Sequence, residues 1–172
     1  MNVVTAAHVA IARARRADCA DLVQANQANR CHHLPWAEPF TNAQGFDAWF
    51  ARMLTGAHVG LVARDTESGR VVGVVNLSEI VLGVFQSAYL GYYGMAWCAG
   101  TGRMTEAVRL GAAYAFHELG LHRLEANIQP ANVRSIALVR RLGFHREGFS
   151  PGYLHIGGAW RDHERRALLA DE

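Results

Sequence analysis

The sequence predicts a single α+β domain, an α/β arrangement on one mixed sheet of about seven strands flanked by about four helices. Three observations carry that prediction. The 172 residues are 51% hydrophobic and 19% charged, a globular balance on a chain long enough for one sizeable core. Strand-like and helix-like runs alternate between residues 88 and 142, which implies a local parallel crossover. Strands joined through turn chemistry precede and follow that stretch, which implies antiparallel pairing on both flanks. No repeat, low-complexity tract or linker divides residues 1–172, so the whole chain reads as one domain.

The elements follow in order. Val9, Ile11 and Ala14 mark a short opening strand. Asp18 stands at an N-cap position for a helix from Cys19 to about Asn29, with Leu22 and Val23 on its inner face. Pro35 and Pro39 bracket Trp36 and interrupt regular structure. Phe46, Trp49, Phe50 and Met53 recur at three- and four-residue spacing, the mark of a second helix. Strands over 58–64 and 71–77 flank Asp65-Thr66-Glu67-Ser68-Gly69, a turn, and form a hairpin. A strand over 88–93 leads into a glycine loop and a helix from Met104 to about Leu119, stopped by Gly120. A strand over 123–129 and a helix over 132–142, stopped by Gly143, complete the alternation. The tail holds strands over 144–156 and 160–169, turned at Gly157-Gly158.

Composition removes several function classes. The formal charge of +2 is too small to argue for nucleic acid. All 17 basic residues are arginines, so neither a Schiff-base lysine nor a Walker lysine exists. Cys19, Cys31 and Cys98 show no paired spacing and suggest neither a disulfide framework nor a metal site. A reducing, cytoplasmic setting fits that cysteine usage. The leading arginines (Arg13, Arg15 and Arg16) follow the first apolar residues, the reverse of a signal peptide. The most apolar run, 71–85, is broken by Asn76, Ser78 and Glu79, so no membrane span is expected.

The most informative stretch is Ala99-Gly100-Thr101-Gly102-Arg103-Met104-Thr105-Glu106-Ala107. Two glycines just before a helix leave backbone N–H groups uncovered at the positive end of the helix dipole, an arrangement suited to phosphate. A dinucleotide fold would want a third glycine, and Thr105 occupies that position. It would also want an acidic residue ending the next strand, whereas Glu125 lies inside it. A phosphate cradle in mid-domain without those partners points to a pyrophosphate such as that of coenzyme A.

From Tyr89-Leu90-Gly91-Tyr92-Tyr93 through Gly100-x-Gly102-x-Met104-Thr105-Glu106-Ala107 the chain resembles motif A of the GNAT N-acetyltransferases. Residues 121–135, Arg141-Leu142-Gly143-Phe144-x-x-Glu147-Gly148, and the tail from Tyr153-Leu154 to Trp160-Arg161-Asp162-His163 are similar to the RimJ/RimL branch. Asn29-Arg30 with Leu34-Pro35-Trp36-x-x-Pro39 resembles that branch's segment after the first helix. The resemblance implies an acetyl-CoA-dependent N-acetyltransferase with a splayed sheet, the donor lying between the fourth and fifth strands. The acceptor it implies is a protein N-terminus, as in the ribosomal-protein alanine acetyltransferases. Polyamine or antibiotic amines, or a silent acyl-CoA-binding module, are the alternatives. One departure stands out: the family loop opens with Gln or Arg where this chain has Trp97.

Site expectations follow from the loop and the resemblance together. The donor is expected against Met95, Trp97, Cys98, Ala99, Gly100, Thr101, Gly102, Arg103 and Met104, and against Asn127, Asn132, Ser135 and Arg140. Asn132, at a helix start, also reads as an N-cap. Ser135 is the favoured acid for the departing thiolate, with Tyr153 second. The base is open among Glu79, Glu125 through water, and the His32-His33 pair. Trp36, Glu38 and Glu79 are the expected acceptor contacts. Aromatic residues in the tail hairpin suggest a homodimer.

Overall fold

Valine-rich β-branched runs form the centre of the sheet because they fit a pleated surface buried on both faces. The structure is a computed structural model and describes residues 4–170. In chain order the elements are β1 (Val4–Thr5), β2 (Val9–Arg13), α1 (Cys19–Ala28), α2 (Arg30–His33), α3 (Ala43–Met53), β3 (Val59–Asp65) and β4 (Val71–Val81). There follow β5 (Ser87–Gly94), α4 (Arg103–His117), β6 (Arg123–Ile128), α5 (Val133–Arg141), β7 (His145–Ile156) and β8 (Ala159–Leu169). The strands form one mixed sheet in the order β1-β2-β3-β4-β5-β6-β8-β7.

The α+β expectation holds, with eight strands and five α-helices described. The additional strand is β1, two residues long, and the additional helix is α2, four residues long. Neither is long enough to display a period.

Pairing at the sheet centre shows how both faces are covered. Gly60 pairs opposite Asn76. Both face α3, where Trp49 Nε1 donates to Asn76 Oδ1 at 3.0 Å and a Cβ on Gly60 would meet the Trp49 ring at 2.5 Å. Leu61 and Val75, the next pair, face the other way. There α4 presses so closely that a Cβ on Gly111 would lie 2.8 Å from Val75. Phe46, Leu61, Leu77 and Leu124 are fully enclosed between these layers.

One expected cap is absent. Asp18 has helical backbone angles, and its side chain makes no capping bond. Its carboxylate instead accepts from the Arg15 N–H at 2.7 Å and from Arg64 at 2.9 Å. A tight turn over Arg16–Asp18 already leads into α1, and its opening amide takes one carboxylate oxygen while Arg64 takes the other.

The feature that positions the site is a failure of pairing. β5 and β6 run parallel and hydrogen-bond only from Ser87–Tyr89 to Arg123–Glu125. β5 continues to Gly94 held by β4, and β6 continues to Ile128 held by β8. Each strand follows its outer neighbour, so the two part and a wedge opens. Because β1 adds one to the count, β5 and β6 are the strands expected as fourth and fifth.

Candidate functional site

The wedge is the mouth of a cleft of about 1000 Å³. The end of β5 lines one side through Tyr92, Tyr93 and Gly94, and the end of β6 lines the other through Asn127 and Ile128. The glycine loop and the first turn of α5 also wall it, as do the α2 segment and the tail hairpin.

The loop carries open backbone donors. Gly100 and Gly102 adopt φ of 78° and 84°, and Gly102 is the N-cap of α4. Both line the cleft, and a Cβ on either would meet nothing within 4 Å. The amides of Gly100 and Gly102 meet no backbone acceptor among the described residues, nor do the three opening α4. That set suits a diphosphate: several N–H groups, no covering side chain and the positive end of a 15-residue helix.

The side chains of the same loop are tied to the protein. Thr101 Oγ1 donates to the Cys98 carbonyl at 2.8 Å, and Arg103 Nε donates to Asp65 Oδ2 at 2.8 Å. Trp97 Nε1 donates to the Val71 carbonyl at 2.8 Å, with the Arg70 guanidinium 4.4 Å over its ring. Cys98 is buried, its thiol pushed up by desolvation and directed at the Met95 carbonyl at 3.3 Å. Of the expected donor contacts, Met95, Cys98, Ala99, Gly100, Gly102, Met104, Asn127, Asn132 and Ser135 line the cleft. Trp97, Thr101, Arg103 and Arg140 do not, whereas Arg134 and Arg141 do.

At the start of α5, Asn132 Oδ1 accepts from the Ser135 N–H at 3.2 Å and caps the helix. The Ser135 hydroxyl lies 2.5 Å from the Tyr92 hydroxyl, which is also 3.2 Å from the Ser135 carbonyl. Burial pushes the Tyr92 phenol up to about 12. Opposite, Asn127 Oδ1 is enclosed with no hydrogen-bond partner among the described residues. A buried acceptor without a donor fits an amide-bearing ligand such as the pantetheine arm.

The carboxylates stand elsewhere. Glu125 accepts from Arg123 at 2.9 Å at the end where β5 and β6 still pair, and Arg123 also holds Glu147. Glu79 is exposed beside His58 at 3.9 Å, on the irregular end of β4. Glu38 borders a second cavity of about 550 Å³ that shares Ala37, Asn76 and Tyr93 with the cleft. Trp36 lines the cleft itself. Tyr153 stays outside, its hydroxyl 3.4 Å from that of Tyr89, a bond that helps push Tyr89 up to about 12.

Two histidines of the wall are buried. His33 Nε2–H donates to the Gly94 carbonyl at 3.0 Å, while its Nδ1 is enclosed and unpartnered. Burial lowers its pKa. His163, 2% exposed, donates from Nδ1 to the Arg161 carbonyl at 2.9 Å. Sequence reasoning named neither Tyr92 nor His163 as a site residue. The contact of Tyr92 with Ser135 spans 43 residues, and alternation along β8 marks which residues share a face, not what faces them.

Comparison with known proteins adds the lineage. Residues 8–145 match the acetyltransferase (GNAT) domain family. The chain is 43% identical over 109 residues to the [ribosomal protein uS5]-alanine N-acetyltransferase of Escherichia coli (strain K12), 63% of this chain and 56% of that protein. The first curated relatives are matched over only 56% to 61% of their own length. Among solved structures, Mycobacterium smegmatis RimJ in complex with CoA-disulfide superposes with a TM-score of 0.86 at 28% identity, over 95% of this chain and 82% of that one. Spermidine N-acetyltransferase from Vibrio cholerae, in complex with CoA and spermine, superposes at 0.81 with 20% identity, over 95% and 96%, a likeness of fold alone.

Proposed function

The chain belongs to the GNAT acetyltransferase family, whose acyl donor is acetyl-CoA, and on that premise we propose that it acetylates a primary amine, the N-terminal α-amine of a protein. Residues 1–172 act as one domain in this reading. The loop amides and the α4 dipole hold the diphosphate, and Asn127 offers its acceptor to the pantetheine. With Tyr92 donating to Ser135 Oγ, the serine hydrogen is free for the leaving sulfur. A thiol near ~8.5 asks little of such an acid, so proximity and orientation supply most of the acceleration.

The observation that carries the choice of acceptor is charge. No Asp or Glu lines the cleft among the described residues, whereas Arg134 and Arg141 do. A polyamine would bring several ammonium groups to a wall with no anion to pair them. An α-amine near ~7.7 is about one sixth neutral at pH 7, so freeing it costs about 1 kcal/mol. A lysine side chain near ~10.4 would need about 4.6 kcal/mol. A wall without carboxylates suits the first acceptor. Glu38, in the adjoining cavity, is placed to meet an ammonium on its way in.

Relatives named for ribosomal-protein alanine acetylation and RimJ support the same reading. A cytoplasmic setting is part of this proposal; no described helix is long and apolar enough to cross a membrane. Phe149 and Trp160 stand exposed on the tail hairpin, where a homodimer would form. The test is thiol release from acetyl-CoA with three acceptor sets: peptides with free N-termini, N-blocked peptides with free lysines, and polyamines. Turnover with the first set is expected. Preference for polyamines would overturn the acceptor, and tight acetyl-CoA binding without turnover would leave a silent module.

A further inference from the structure

We infer that His163 Nε2 takes the proton from the attacking amine, an inference that rests on the transfer reading above. The Nδ1–H bond to the Arg161 carbonyl at 2.9 Å fixes the neutral tautomer, because a carbonyl only accepts. The lone pair is therefore on Nε2. Among the described residues nothing hydrogen-bonds that atom, and His163 lines the cleft, as Leu154 and Ile156 do. The strand backbone of β8 holds the ring, so its place does not depend on a mobile loop.

Apart from His32, every rival base is engaged or misplaced. Glu125 is paired with Arg123 where the strands are still joined, and Glu79 is exposed outside the cleft. His33 is engaged through Nε2, which donates to the Gly94 carbonyl. The buried Cys98 thiol is directed at a backbone carbonyl. No hydrogen bond fixes the tautomer of His32, which sits on the four-residue α2.

The proton inventory balances. The amine nitrogen bonds to the acetyl carbon and becomes strongly acidic, so a neutral imidazole suffices to take its proton. The carbon–sulfur bond breaks with its electron pair on sulfur, which is protonated from the Ser135 hydroxyl. Water in the open cleft carries the proton from His163 and restores the serine. One proton leaves nitrogen and one arrives on sulfur.

The test is His163→Asn, whose carboxamide keeps a donor for Arg161 but has no second ring nitrogen. The ring's titratable surroundings are Tyr153 of β7, at 6.0 Å between ring centroids, and across the cleft His32 and His33 of α2 with Arg134 and Arg141 of α5. At pH 7 kcat/KM for a peptide α-amine is expected to fall on the order of a hundredfold, with CoA affinity within about twofold. The deficit should narrow toward pH 9.5, where hydroxide replaces the lost base. A variant as fast as wild type, or one equally slow from pH 6 to 9.5, overturns the assignment. Nitrogen-15 NMR of the wild-type imidazole needs no variant: protonation on Nδ1 is expected, and a proton resting on Nε2 sinks the inference. A wild type that releases no thiol with any amine sinks the transfer reading and this inference with it. A competent wild type beside an unaltered variant sinks this inference alone.

Discussion

At Ser135 a hydroxyl, a buried phenol and a helix cap meet within one turn of α5. Ser135→Ala is expected to lower kcat on the order of 10²-fold, the lower end for a proton donor, with a smaller change in acetyl-CoA KM. Steady-state kinetics checks this, and an unchanged kcat would return the hydroxyl to a purely structural place. Asp65 makes a different case. Its carboxylate accepts from the Ser68 hydroxyl and N–H at 2.7 and 2.9 Å and from Arg103 at 2.8 Å, which hold its pKa far below the usual carboxylate range. A depressed folded pKa contributes stability that is full above the unfolded value of ~3.9 and is lost as pH falls below it. Asp65→Asn should therefore destabilise at pH 7, and the gap from wild type should narrow on acidification; urea unfolding at pH 7 and pH 3 measures both. An equal gap at the two pH values would refute the pairing. Arg103 and Thr101 show why side-chain roles resist sequence reading. A charged or hydroxyl residue beside a phosphate loop looks like a ligand contact, yet here Asp65 and the Cys98 carbonyl occupy them.

Among the elements, α4 carries the most consequence. Its N-cap, Gly102, needs φ of 84°, and Gly120, three residues past its last residue His117, needs 64°. An alanine at either position costs about 1–2 kcal/mol in backbone strain. Both sites are otherwise open, so the two alanine variants should melt alike. Only Gly102→Ala should weaken CoA binding by calorimetry, because its methyl enters the diphosphate space; equal affinity in both would argue against the loop. Gly111→Ala probes the opposite face of that helix. The methyl would lie 2.8 Å from Val75, so overpacking of about 1–3 kcal/mol should exceed the ~1 kcal/mol gained in helix propensity. A variant more stable than wild type by thermal melting would show that α4 can lift from the sheet. The helices and strands themselves were legible to within a few residues, with β4 extending to Val81, because period and stop signals are local. Asp18 was misread because Arg64, 46 residues away, claims the carboxylate a local rule assigns to a cap.

For the whole molecule, the consequential event is the parting of β5 from β6 after Tyr89 and Glu125. It turns a sheet into a cleft and leaves Glu125 on the closed side. Transfer to α-amine peptides should accordingly exceed transfer to polyamines at equal concentration and neutral pH, in the acceptor panel described above. By itself the sequence determined the element order, the hairpins, the crossover and the glycine loop, since each is written in spacing between near neighbours. Which side chains share the cleft was decided by tertiary structure alone. Tyr92 reaches Ser135 across 43 residues, and His163 reaches the wall through a strand inserted between β6 and β7. Such meetings depend on which neighbour each strand follows, and hydrogen bonding across the sheet settles that, not the order of residues along it.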